Sequence, residues 1–144
     1  MLGERCQVTM KLDEKGRIAL PARLRRKLKE AGINAVVLTF FDGGIRGFAP
    51  SHFVERIERP IADRDPFEAE TQLLHHAVLA GAEDCSVDGQ GRIRIPQRLR
   101  DECGLDGEAV LISILDWIEI WPRDRWEKRR KQALQARSKR ITGQ

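Results

Sequence analysis

Several features that mark common protein classes are missing from this 144-residue sequence. No apolar run approaches the roughly 20 residues of a membrane-spanning helix, so we expect no membrane segment and no membrane partner. The first residues, Met-Leu-Gly-Glu-Arg-Cys, lack the apolar core of a signal peptide, which predicts a cytoplasmic location. Cys6, Cys85 and Cys103 are odd in number and widely spaced, which argues against a disulfide framework and a cysteine-based zinc site.

Motifs of common enzymes are also missing, since there is no His-Glu-x-x-His, P-loop, Gly-x-Gly-x-x-Gly or nucleophile elbow. His75 and His76, with Glu83, Asp84 and Asp88, are the residues most easily imagined as a metal site. Adjacent histidines on a helix point about 100° apart, so they do not converge on one ion. We expect one solvated and one half-buried histidine, no metal, no cofactor and no enzymatic activity.

The composition that remains is that of a soluble, folded protein, with 41% apolar and 33% charged residues. Its charge is uneven. Residues 123–140 contain nine Lys/Arg and two acidic residues, a net charge of +7, whereas the whole chain carries +4. A basic tail on a slightly acidic body suggests a polyanionic partner. A solvated tail without a partner explains the charge equally well.

The segment at residues 13–25 occurs twice. It reads Asp-Glu-Lys-Gly-Arg-Ile-Ala-Leu-Pro-Ala-Arg-Leu-Arg and, 75 residues later, Asp-Gly-Gln-Gly-Arg-Ile-Arg-Ile-Pro-Gln-Arg-Leu-Arg. Eight of the thirteen positions are identical. Self-similarity of this kind indicates a duplicated module. Each copy predicts a turn followed by an arginine.

Around each copy, the residue pattern predicts the order strand, turn, strand, helix, hairpin, helix. Side chains alternate along a strand, so Ile18 and Leu20 should point inward while Arg17 and Ala19 share the outer face. Ile93 and Ile95 of the second copy should likewise point inward. Pro21 and Pro96 should each open a helix. The first helix should bury Leu24, Leu28 and Ala31, and the second Leu99 and Cys103, which aligns with Leu28.

The repeats are predicted at residues 1–60 and 82–134, separated by a linker and connecting helix at 61–81 and followed by a basic flexible tail at 135–144. Asp65-Pro66-Phe67-Glu68 resembles a capping box for a helix that runs to about Ala80, with Phe67 and Leu74 on its apolar face. Asp124 and Glu127 predict a second box at the start of the last helix, which should fray past Leu134.

Half a barrel would leave strand edges exposed. Two copies can interleave their strands and remove those edges. The predicted fold is therefore α+β, one compact pseudo-twofold barrel built from two repeats, with flanking helices.

Asp13 and Asp88 can accept backbone N–H groups and hold the repeated turns, and Gly16 and Gly91 tolerate positive φ. The arginines that follow are open to two interpretations. Each can form a salt bridge back to the aspartate of its turn. Alternatively, a narrow turn carries the arginine into a DNA major groove, where it bonds guanine O6 and N7.

Neighbouring cations favour the second interpretation. Lys15 lies in the first turn, and Arg94 shares a face with Arg92. The arginines that open the two helices are better placed for phosphate contacts, which position a protein on DNA without specifying sequence. These candidates are Arg23, Arg25, Arg98 and Arg100. Two turns make a small footprint, so specific binding should need several subunits on repeated DNA elements.

At these residues the chain resembles the MraZ family of bacterial transcriptional regulators. The match rests on Leu12-Asp13-Glu14-Lys15-Gly16-Arg17 with Pro21 and Arg25, and on Asp88-x-x-Gly91-Arg92 with Pro96 and Arg100. The resemblance implies a double-split β-barrel that assembles into a ring and associates with the nucleoid. It further implies binding to short direct repeats upstream of the protein's own division and cell-wall operon, chiefly as a repressor.

The resemblance places the DNA-contacting motif at residues 13–17 and 88–92. The chain departs from the family pattern where Gln90 stands in the second copy at the position of Lys15 in the first, so we expect the two turns to read DNA unequally. It also lacks the usual aromatic residue near the N-terminus and has a more basic tail. The alternative function is a non-catalytic protein-binding adaptor or antitoxin-like module on the same barrel.

Overall fold

A computed structural model describes residues 5–141 of the chain, and these residues form an α+β fold of eight strands and five helices. The strands are β1 (Cys6–Lys11), β2 (Arg17–Ala19), β3 (Ala35–Phe41), β4 (Gly44–Phe48), β5 (Glu83–Ser86), β6 (Arg92–Arg94), β7 (Glu108–Ile114) and β8 (Trp117–Pro122).

Three helices are regular: α1 (Ala22–Glu30), α4 (Gln97–Cys103) and α5 (Arg123–Ile141). The other two contain π-helical segments. Helix α2 joins Pro50–Phe53, the π-helical Val54–Glu58 and Arg59–Ala62, and helix α3 joins Ala69–Leu74 and the π-helical His75–Leu79. Among the described residues, no helix is both long enough and apolar enough to cross a membrane.

The strands pair across the two repeats. Six form an antiparallel sheet in the order β1-β7-β8-β4-β3-β5, and β2 pairs with β6 in a separate antiparallel ribbon. Strands β1, β3 and β4 of the first repeat correspond to β5, β7 and β8 of the second. Exchanging each strand with its counterpart reverses the order of the six strands, so the sheet has a pseudo-twofold pairing order. Strand β1 of the first repeat pairs with β7 of the second, and β5 pairs with β3. The predicted interleaving of strands is therefore confirmed.

The main core contains the inward side chains of the ribbon and of one face of the sheet. Ile18, Ile93 and Ile95 are fully buried, as the alternation predicted, and Leu20 is nearly so. Cys103 is also fully buried in this core, which confirms that it packs as an apolar residue. The helices that follow begin one residue after Pro21 and Pro96, which have extended backbone angles and precede the first turn.

One of the three residues predicted to be buried on α1 is exposed. Leu24 and Leu28 are buried, but Ala31 is exposed because the helix ends at Glu30. Gly32 follows with φ +70°. A residue with positive φ turns the chain away from the helix, so the side chain at position 31 does not reach the core.

The segment between the repeats differs from the prediction. Helix α2 continues through Pro60 to Ala62, whereas the first repeat was expected to end at residue 60 and the linker to begin at residue 61. The π-helical segment shifts the hydrogen-bond register just before Pro60, so the missing N–H of proline does not end the helix. Asp65 accepts a hydrogen bond from the Phe67 N–H at 3.0 Å and forms a local turn rather than a capping box. Helix α3 then begins only at Ala69.

Phe67 was expected on the apolar face of this connecting helix, but its side chain is 85% exposed. Leu74 is half-buried, while the buried positions of α3 are Thr71 and Val78. Because residue 67 lies in the turn before the helix, the helical spacing that placed it on the apolar face does not apply.

The last helix also differs from the prediction. Helix α5 begins at Arg123, so Asp124 lies within its first turn instead of capping it. Glu127 accepts a hydrogen bond from Arg123 Nε at 3.1 Å. The helix continues to Ile141, past the expected fraying near Leu134, and the rest of the predicted tail lies outside the described residues.

Candidate nucleic-acid interface

The two repeated turns have the same hydrogen bonds. Asp13 Oδ1 accepts the N–H groups of Lys15 and Arg17, each at 2.9 Å, and the Asp13 carbonyl accepts the Gly16 N–H at 3.0 Å. In the second turn, Asp88 accepts the N–H groups of Gln90 and Arg92 at the same distances. These bonds close both turns with one carboxylate each.

The same bonds keep the two carboxylates charged. The backbone N–H of Arg17 lowers the pKa of Asp13 most strongly, with smaller contributions from the Arg17 side chain and the Lys15 N–H. The Arg92 backbone N–H does the same to the pKa of Asp88. Hydrogen bonds to an ionised carboxylate favour its charged form.

Both turn arginines form the salt bridge that the first interpretation described. Arg17 Nε lies 2.7 Å from Asp13 Oδ2, and Arg92 Nε lies 2.9 Å from Asp88 Oδ2. Each bond uses only Nε, and the two Nη groups of a guanidinium provide four further donors. The side chains of Arg17 and Arg92 are 25% and 31% exposed. The salt bridge therefore orients each arginine and leaves donors for another acceptor.

The β2–β6 ribbon brings the two turns together. Arg17 lies directly opposite Arg94, Ile18 opposite Ile93, and Ala19 opposite Arg92. The isoleucines face the core, so the three arginines share the outer face, which we name the ribbon face (Arg17, Arg92 and Arg94). Like charges directly opposite each other on neighbouring strands destabilise a sheet.

Two of the predicted phosphate contacts hold the turns of the opposite repeat. Arg25 of α1 packs against Gly91, where an added Cβ would lie 2.0 Å from Arg25 Cδ, and its Nη1 donates to the Gln90 carbonyl at 3.0 Å. Arg100 of α4 packs against Gly16 in the same way, with 2.4 Å between an added Cβ and Arg100 Cζ. Gly16 and Gly91 have φ values of +75° and +76°. Each turn is thus supported by the other repeat.

The remaining predicted residues are spread around this region. Arg98 is paired with Glu83 at 2.9 Å and Glu102 at 3.1 Å. Arg23 lies on an exposed position of α1, and Lys15 is exposed in the first turn. The ribbon therefore brings together Arg17, Arg92 and Arg94, while Arg98 is held by carboxylates.

Sequence reasoning missed a basic cleft beside the second turn. The cleft has a volume of about 670 Å³, and its lining includes Arg25, Arg26, Lys29 and Asp88. Arg26 and Lys29 were visible as charged positions of α1. Their proximity to residues 87–91 follows from strand pairing between the repeats, which sequence spacing does not reveal.

No cluster of three or more His, Cys, Asp or Glu side chains suited to a metal ion occurs within residues 5–141. His75 is half-buried and His76 is exposed, as predicted. Burial raises the pKa of the Cys85 and Cys103 thiols to about 11, so both remain protonated near neutral pH.

The duplicated fold and the arginine-bearing turns define a class of proteins that present cations on a two-stranded ribbon. A family model described as "MraZ protein, putative antitoxin-like" matches residues 4–73 and 78–142. The chain belongs to the MraZ family.

Similar proteins carry the name "Transcriptional regulator MraZ". The protein from Thioalkalivibrio sulfidiphilus (strain HL-EbGR7) is 36% identical over 123 residues, covering 85% of this chain and 82% of the relative. The protein from Lachnoclostridium phytofermentans is 40% identical over 119 residues, covering 81% and 79%. The protein from Roseiflexus castenholzii (strain DSM 13941 / HLO8) is 38% identical over 116 residues, covering 81% and 78%.

Proposed function

We propose that this chain is a transcriptional regulator that binds double-stranded DNA sequence-specifically through the ribbon face. The observation that carries the proposal is the placement of Arg17 directly opposite Arg94, with Arg92 on the same face. Like charges repel across a ribbon, and the salt bridge between Arg17 and Asp13 offsets part of this repulsion in the free protein. Binding to a polyanion relieves that repulsion. The names of the relatives support the same function.

The way in which the ribbon would read base sequence follows from its two-stranded shape. A DNA major groove is about 12 Å wide and admits a two-stranded β-ribbon. Asp13 and Asp88 hold Nε of Arg17 and Arg92, so the Nη groups can meet guanine O6 and N7 without the loss of side-chain freedom that an unpaired arginine undergoes. Arg94 adds a third donor group on the same face.

The two turns should contribute unequally. Lys15 is exposed in the first turn, and Gln90 occupies its position in the second. We assign Lys15 and Arg23 to phosphate contacts. Arg25 and Arg100 are positioning residues, because their side chains support the turns, and Arg98 is held by Glu83 and Glu102.

The proposed architecture is a double-split β-barrel that comprises repeats 1–60 and 82–134, with connecting residues 61–81, in one unit. The pseudo-twofold pairing order supports it. Several such units would assemble into a ring and bind successive direct repeats, which raises affinity through avidity. Phe67 and Leu73, 85% and 67% exposed, support self-association. Native mass spectrometry of the protein and of its Phe67→Ser variant tests the assembly.

We further propose that the protein acts in the cytoplasm at the nucleoid, as a repressor of its own division and cell-wall operon. The experiment is a titration of the full chain on its own upstream duplex and on a shuffled duplex of equal length and composition. Specific reading predicts at least about a 1,000-fold preference for the upstream duplex at physiological salt. Equal affinity for both duplexes would contradict the proposal. A reporter under the upstream region then distinguishes repression from activation.

A second candidate is an antitoxin-like, protein-binding module. The family description and the exposed Phe67 favour it. Under this alternative, the Phe67→Ser variant would lose a co-purifying protein while upstream DNA remained unbound by both forms. Binding of the upstream duplex by the wild-type chain would exclude it as the main function.

A further inference from the structure

The last helix contacts the body near its start. Arg123 pairs with Glu108, and Arg125 Nη1 donates to the Gly43 carbonyl at 2.8 Å. The ring of Trp126 lies 5.9 Å from that of Trp121, and the Arg129 guanidinium lies 5.9 Å from the Trp121 ring. These contacts set the direction in which the helix leaves the sheet.

The rest of this helix is a basic arm, which we define as residues 128–141. It contains seven Lys or Arg residues and no acidic residue. Every side chain from 128 to 140 is exposed, including Leu134 at 52%. At 1.5 Å per residue, the arm is about 21 Å long. Tertiary packing therefore does not account for its sequence.

The spacing of two of these cations is unfavourable in the free protein. Lys128 and Lys131 each follow an acidic residue by four positions, a favourable arrangement, but Arg137 and Arg140 lie three positions apart on the same side of the helix. Like charges at this spacing destabilise a helix by a few tenths of a kcal/mol. A polyanion along the arm would remove the repulsion.

The distribution of charge selects the kind of polyanion. At 100° per residue, Lys128, Arg129, Arg130 and Lys131 point to four different directions around the helix axis. A helix that binds a membrane surface needs a continuous apolar face, which this arm lacks. Duplex DNA presents phosphates on both walls of a groove, one charge per about 1.7 Å of its axis. Such a partner can contact several sides of one helix.

We propose that the basic arm binds the phosphate backbone of duplex DNA independently of sequence. The arm would hold the protein on DNA while the ribbon face samples base sequence. This inference adds a second DNA contact to the proposed function and does not depend on sequence reading by the ribbon. The two proposals can therefore fail separately.

The test is a salt titration of the full chain on a random-sequence duplex, with a variant in which Lys128, Arg129, Arg130 and Lys131 are all changed to Gln. The slope of log K against log salt is negative, and each lost phosphate contact makes it less negative by about 0.9, so the magnitude of the slope should fall by about 3 to 4. Because Arg129 also contacts Trp121, a second variant, Arg137→Gln with Arg140→Gln, removes charge where the arm is far from that ring. The magnitude of the slope for this variant should fall by about 2.

The matched control is Gln132→Ala with Gln135→Ala, which alters the same exposed helix without changing its charge. Helix content from circular dichroism must be equal in all forms. An unchanged slope in both charge variants would overturn the proposal. So would equally tight binding of a polyglutamate peptide or of anionic lipid vesicles, since either result assigns the arm to a different partner. Loss of the random-duplex slope with retained preference for upstream DNA would support the arm and the ribbon as separate sites.

Discussion

Arg17 lies directly opposite Arg94 across the β2–β6 ribbon, so two cations from different repeats occupy neighbouring positions on one face. Arg17 is held by Asp13, whereas Arg94 is exposed. The isoleucine pair beside them, Ile18 and Ile93, is fully buried and fixes which face the arginines occupy. Packing of the core thus keeps both arginines on the same outer face.

Replacing Arg94 by Thr should raise the free energy of unfolding by a few tenths of a kcal/mol, because the like-charge pair is removed and Thr suits a strand. The same variant should bind the upstream duplex more weakly. Ala19→Thr is the matched control, since position 19 corresponds to position 94 in the other repeat and relieves no like-charge pair. Urea denaturation measures the effect. A fall in stability for Arg94→Thr beyond that of the control would show that the pair is not repulsive.

Gly91→Ala should destabilise the protein by about 1 to 2 kcal/mol from the backbone alone, because φ is +76° at this position. The new Cβ also displaces Arg25 from the second turn. In Arg25→Ala the displacement no longer occurs, so Gly91→Ala should cost less in that background. A double-mutant cycle in urea measures the difference. Strict additivity would mean that Arg25 does not support the turn.

Asp13 and Asp88 should make stability depend on acid pH. Both have a pKa lowered from the ordinary value of 3.8, so their contribution is fully present above that pH. It is lost as the pH falls through the lower pKa of the folded protein. Asp13→Asn with Asp88→Asn should therefore reduce stability at neutral pH and reduce it less at acid pH. Glu14→Gln, in the same turn, is the control. Thermal unfolding between neutral and acid pH tests this, and a constant difference between wild type and double variant would contradict it.

Two of the three thiols should resist alkylation in the native protein. Cys85 and Cys103 are buried, and burial raises the pKa of each thiol to about 11. The thiolate is the reactive form, so both should react only after denaturation. Mass spectrometry after iodoacetamide treatment at mildly alkaline pH counts the modified sites. Rapid native modification of Cys103 would show that the core around it opens readily.

The local structure of each repeat was predictable because local chemistry determines it. Aspartate and glycine at fixed spacing specified the turns, and alternation placed Ile18 and Ile93 inward. The failures occurred where the signal was ambiguous. The residues around Pro60 and Asp65 both have the pattern of a helix boundary. A π-helical segment allows α2 to continue past Pro60, and the Asp65 side chain closes a turn instead of capping a helix.

The arrangement of the candidate site was not predictable in the same way. The opposition of Arg17 and Arg94 depends on pairing between strands about 75 residues apart. The role of Arg25 likewise depends on how α1 meets the second turn. A single sequence gives the residue types at these positions, but long-range packing decides which of them meet.

The most direct test of the account compares Arg94→Ala with Arg59→Ala in titrations on the upstream and shuffled duplexes. Both substitutions remove one exposed arginine, but only Arg94 belongs to the ribbon face. DNA reading by the ribbon face predicts that Arg94→Ala lowers affinity for the upstream duplex by about 5- to 150-fold, as expected for the loss of one base contact of about 1 to 3 kcal/mol. Binding of the shuffled duplex should remain nearly unchanged. Arg59→Ala should preserve the preference. Equal, small effects of both substitutions on both duplexes would contradict DNA reading by the ribbon face.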